Sequence, residues 1–111
     1  MSDRHQIMKD THFWMRLESD VTVWLHEKVH GGLWIDGFNP EFIKNTKRGV
    51  DIEGVAWVAN GRRSQSPYRF IVSIPQKILH RHRDSLFIED LVLDDGQKTL
   101  EIRIADELQV A

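Results

Sequence analysis

The chain contains no cysteine. Disulfides, thiolate zinc sites and a cysteine nucleophile are therefore excluded, and a reducing compartment is compatible with the composition. Three prolines and seven glycines are too few for a low-complexity tract or a flexible linker. No apolar run reaches the ~20 residues that a membrane-spanning helix needs. The opening residues, Met1 to Lys9, carry Asp3, Arg4, His5 and Lys9 and do not read as a secretory signal. A cytoplasmic protein away from any membrane is the expectation. Glycine-rich nucleotide fingerprints, phosphate loops and the G-x-S-x-G nucleophile elbow are all missing from the sequence, so no cofactor is expected.

What is present suffices for a packed core. The chain has 111 residues, of which 41% are hydrophobic, with four Trp and five Phe. That length suits one domain spanning residues 1–111. A chain of this size buries roughly two thirds of its unfolded surface, and large aromatic side chains argue against disorder. The formal charge of −2 conceals three blocks: residues 1–43 carry −3, residues 44–83 carry +7 and residues 84–111 carry −6. Such blocks either mingle on the surface or present a basic face to an anionic partner, and they also suit head-to-tail self-association.

The first 30 residues read best as helix, because Ile7, Trp14, Leu17, Val21 and Trp24 recur on one helical face. Ser19-Asp20 offers a second helix start, giving one N-terminal helix or two. A hairpin over residues 13–25 is the rival, since Val21-Thr22-Val23-Trp24-Leu25 is rich in strand formers. Gly31-Gly32 ends the segment. Leu33 to Phe38 is a short strand. Asn39-Pro40-Glu41 then resembles a helix start, with Asn as cap and Pro at the first helical position, and would carry Phe42 and Ile43 inward. Residues 50–59 form a long strand with Gly54 as a bulge. Tyr68, Phe70, Val72 and Ile74 alternate with polar residues in the next. A helical turn follows Pro75, then a strand over Leu86 to Leu93. Asp95-Gly96 signals a hairpin with positive φ at both central positions, and Leu100, Ile102 and Ile104 mark the return strand. With consecutive strands paired as nearest neighbours, the expected fold is a two-layer α+β arrangement: an N-terminal helix, or two, packed on a mostly antiparallel sheet of about five strands.

Two histidine strings raise the question of metal chemistry. His26-Glu27-Lys28-Val29-His30 fits H-E-x-x-H, in which histidines one helical turn apart bind zinc and the glutamate acts as general base. Lys28 between the ligands and Gly31 directly after the second oppose it. His80 and His82 form a second pair within His80-Arg81-His82-Arg83, where two arginines raise the local potential. A metal-dependent hydrolase or small-ligand binder using the His26-Glu27-x-x-His30 string is one alternative function, with His80 or His82 completing a metal site beside His26 and His30. Another is nucleic-acid binding through Lys44, Lys47, Arg48, Arg62, Arg63, Arg69, Arg81 and Arg83, although a pI of about 6.3 is low for a dedicated binder. The leading reading is a non-catalytic protein-interaction module, working as a homodimer. Trp34, Trp57, Tyr68 and Phe70 are its candidate anchors, or else part of the core, and Arg62 and Arg63 its candidate rim contacts.

Overall fold

A computed structural model describes residues 3–28, 32–61, 64–79 and 87–105. Helix α1 (Asp3–Met8) leads into α2 (Thr11–Lys28), which is followed by β1 (Leu33–Asn45), β2 (Gly49–Asn60) and β3 (Ser64–Pro75). The short helix α3 (Gln76–Leu79) precedes β4 (Ile88–Asp94) and β5 (Thr99–Ile104). The five strands form one sheet in the order β1-β2-β3-β5-β4. Helices on one layer and a mostly antiparallel sheet on the other give a two-layer α+β fold.

The helical break falls at Lys9-Asp10, upstream of the Ser19-Asp20 pair that the sequence suggests; both of those residues lie inside α2. Asp10 caps α2: its Oδ1 accepts from the Phe13 N–H at 3.1 Å and its carbonyl from the Trp14 N–H at 3.2 Å, which satisfies donors that the first turn leaves free. Trp14 Nε1 donates back to the Ile7 carbonyl at 2.9 Å and so ties α1 to α2. Phe13, Trp14, Leu17, Val21 and Leu25 form the buried stripe of α2, and Trp24 is partly buried beside it. The hairpin alternative over residues 13–25 does not occur.

The inner face of the sheet completes the core. Val50, Ile52, Ala56 and Val58 of β2, Tyr68, Phe70, Val72 and Ile74 of β3, Leu100, Ile102 and Ile104 of β5, and Leu91 of β4 share one cluster with the α2 stripe. Phe70 packs against Phe38 and Trp14 at centroid distances of 5.1 and 5.6 Å. Thr22 Oγ1 accepts from the Ile35 N–H at 3.1 Å, fixing α2 over β1.

Three sequence expectations are corrected. The helix expected after Asn39-Pro40-Glu41 is strand: β1 runs unbroken in name from Leu33 to Asn45. It absorbs two extra residues, one between Ile35 and Phe38 and one between Pro40 and Phe42. Gly37, at φ 138°, sits in the first of these bulges. Proline is tolerated here because β1 is an edge strand, and the bulge expected at Gly54 lies across the ladder on β1 instead. Second, β3 and β4 are not neighbours. β5 lies between them, antiparallel to β4 but parallel to β3. Third, the β4–β5 hairpin forms with a four-residue turn, Asp95 to Lys98. Asp94 Oδ1 accepts from the Gln97 N–H at 3.1 Å, and the positive φ falls on Lys98, at 55°.

Candidate functional site

Alternation along each strand sends every second side chain away from the helices. The ladder registers then place these outward residues in ranks that cross the sheet from β1 to β4. One rank reads Lys44, Asp51, Ser73, Arg103, Asp90. The next reads Phe42, Glu53, Ile71, Glu101, Val92, and the third Asn39, Val55, Arg69, Thr99, Asp94. Beyond these, on β1 to β3 only, Trp57 stands opposite Pro67, and Trp34 opposite Ala59. Apolar side chains on this face are open to solvent: Trp34 is 37% exposed, Phe42 40%, Trp57 41% and Val92 48%.

Glu53 is the one charged residue buried among the described residues, at 5% exposure. Lys44 Nζ lies 3.0 Å from its Oε2, and Arg69 Nη2 donates to its Oε1. Both cations also approach the Phe42 ring, at 5.5 and 6.0 Å from its centroid. Burial alone would raise the Glu53 pKa, but hydrogen bonds and charge from Lys44 and Arg69 outweigh it and hold the carboxyl below its usual value. The cluster of one anion and two cations carries a net positive charge.

The face is hollow near the β1–β2 turn. A cavity of about 430 Å3 opens over Ile71 and Ser73, flanked by Lys47, Asp51, Glu101 and Arg103. Arg48 crosses to the far edge, donating to the Ile104 carbonyl and approaching Glu89 at 3.4 Å. Glu89 also lies 3.7 Å from Arg103. Thr46 and Ser73 supply the hydroxyls among the lining residues, and His12 and His26 belong to the helical layer.

The four aromatic candidates divide between two faces. Trp34 and Trp57 stand on the outer face as anchors would. Tyr68 and Phe70 do not, because their positions on β3 have inward parity: Phe70 has no accessible surface and Tyr68 only 5%. The Tyr68 hydroxyl donates to Asp95 Oδ1, while Lys98 Nζ sits 3.1 Å from the same oxygen and 5.1 Å from the ring centroid. Burial first, and then Asp95, raises the Tyr68 pKa. This group pins the β4–β5 turn to β3. Phe42 and Val92 join the outer surface unforeseen. Alternation with Leu91 and Leu93 marks Val92 in the sequence, but nothing marks Phe42 once Asn39-Pro40 is read as a helix start.

Of the metal candidates, His26 is exposed on the last turn of α2, beside the exposed Glu27. His30, His80, His82, Arg62 and Arg63 lie outside the described residues. Among the described residues no group of three metal-binding side chains is assembled, and no helix is long and apolar enough to cross a membrane. Comparison with protein-family models, with curated proteins and with solved structures finds no match.

Proposed function

We propose that the chain is a non-catalytic interaction module whose outer sheet face docks onto a second copy of the same chain. The observation that carries this reading is the open apolar set Trp34, Phe42, Trp57 and Val92 on a rigid sheet. Burying such side chains contributes about 25 cal/mol per Å2, and aromatic anchors held on strands lose little entropy on association. Five strands about 4.8 Å apart and three ranks about 6.7 Å apart span roughly 500 Å2 of plane per copy. Two copies then bury about 1,000 Å2 before side-chain relief is counted, the lower bound for a specific interface. The reading keeps the module in the cytoplasm, as the lack of cysteine suits. It also takes precedence over nucleic-acid binding: Lys44 and Arg69 are engaged by Glu53, and Arg48 by Glu89, which leaves Lys47 as the cation of that block facing the cavity without an ion pair among the described residues.

Sedimentation or light scattering across a hundredfold concentration range tests the proposal. The wild type is expected to shift from monomer to dimer. Trp57→Ser, at an exposed position, should keep the fold by circular dichroism yet weaken association by about 30-fold, as loss of a ~2 kcal/mol anchor requires. A wild type that stays monomeric throughout the range overturns the reading.

A further inference from the structure

The outer face carries opposite charges at equal distances on either side of its central strand. Asp51 and Arg103 both flank Ser73, one strand away in each direction. One strand further out in the same rank, Lys44 occupies the β1 edge and Asp90 the β4 edge. Resting on the self-association reading above, we infer that two copies pack face to face about a two-fold axis running along β3.

A rotation about that axis leaves each rank at its own height and exchanges left for right. β1 of one copy then lies over β4 of the other, β2 over β5, and β3 over itself. Arg103 of one copy covers Asp51 of the other, twice by symmetry, and Lys44 covers Asp90. Phe42 meets Val92, and Ile71 meets its own counterpart on the axis. Glu101, which has no ion pair with a described residue, falls over the Lys44–Glu53–Arg69 cluster, whose net charge is positive. Asn39 reaches Asp94, and Trp57 faces the partner's β4–β5 turn. In the first rank every charge thus opposes its complement, and in the second Phe42 opposes Val92; in the third Arg69 meets its own counterpart on the axis, each arginine bonded to the Glu53 of its own copy. The hollow over Ile71 and Ser73 leaves room for the long side chains that cross the interface. Face-to-face packing at about 10 Å separation is the ordinary spacing of a β-sandwich. An axis across the strands would instead set β2 on β2 and β5 on β5, and Asp51 would never reach Arg103.

Two charge reversals test the register. Asp51→Lys and Arg103→Glu each create two like-charge contacts in their own homodimer, so each is expected to weaken association at least tenfold. Mixed together, the two variants form a heterodimer in which Lys at 51 faces Glu at 103 and the native Arg103 faces the native Asp51. Both contacts are attractive, and the mixture should regain dimer at wild-type concentrations. Thermal unfolding of each variant verifies that it folds. If the wild type dimerises but the mixture shows no rescue, the two-fold along β3 is wrong while self-association stands. If the wild type never dimerises, the docking reading itself is wrong.

Discussion

Alanine at Gly54 is the sharpest test of how β1 sits on the sheet. Gly54 pairs with Pro40, next to the second bulge of β1. A Cβ added there would stand 2.1 Å from the Asn39 carbonyl oxygen, and 2.9 Å from both Pro40 Cα and Phe70 Cε2. Ordinary contact begins near 3.4 Å, so the β1 backbone would have to withdraw by about 1.3 Å. The obstacle is main chain, which cannot rotate away as a flexible side chain would. Two flanking ladder hydrogen bonds, worth about 1 kcal/mol each, would be strained or lost, and overpacking against Phe70 adds about 1–3 kcal/mol. Gly54→Ala should therefore lower stability by about 3–5 kcal/mol, a large share of the roughly 5–15 kcal/mol typical of a domain. Urea denaturation read by Trp fluorescence measures it. Gly96→Ala is the control, since its Cβ would touch only Asp94 Oδ1 at 3.4 Å, and it should stay within about 0.5 kcal/mol of wild type. A Gly54→Ala variant within about 1 kcal/mol of wild type, with an unchanged denaturant slope, would refute the close approach of β1 to β2.

Two further outcomes follow from the titrating clusters. Glu53 has its folded pKa below the ordinary 4.5, so its contribution is present above that value and is lost as pH falls through the folded pKa. The stability difference between wild type and Glu53→Gln, by urea denaturation, should shrink from pH 7 to pH 3; a difference constant over that range refutes the assignment. Tyr68 has its pKa raised above 10.0, so its contribution holds below pH 10 and is lost as pH rises through the folded value. Tyr68→Phe should cost about 1 kcal/mol at neutral pH through the lost hydrogen bond to Asp95. Its stability should also fall less steeply than that of the wild type above pH 10, and an identical alkaline slope would count against the pairing.

The sequence made the layer architecture legible because its periods were clean. The Trp14–Leu17–Val21 spacing became the buried stripe of α2, and the Tyr68-to-Ile74 alternation became the inward face of β3. Asp95-Gly96 marks a real hairpin, yet its φ pattern differs from the two-residue turn that the dipeptide suggests, because a four-residue turn places the left-handed residue at its end, on Lys98. Asn39-Pro40-Glu41 failed for a tertiary reason. Its capping signals are local, whereas pairing with Gly54 and Val55 across the ladder is not, and the ladder prevailed. The adjacency of β3 and β5 was invisible, since no local signal says that a later strand will enter between earlier ones. The same limit applied to the surface. Trp34 and Trp57 look like Phe70 in composition, and only the registers separate outward parity from inward.

The position of β5 has a consequence for synthesis. Thr99–Ile104, made after every other described strand, fills the gap between β3 and β4. While the ribosome still holds that segment, β3 presents bare amides and carbonyls to solvent, and β4 has nothing to pair with. The earlier strands can gather against α2 as a three-stranded intermediate with one raw flank, but the sheet cannot close until the final strand is released. A nascent chain stalled just short of Thr99 would be the form most exposed to chaperones and to adhesion between growing polypeptides.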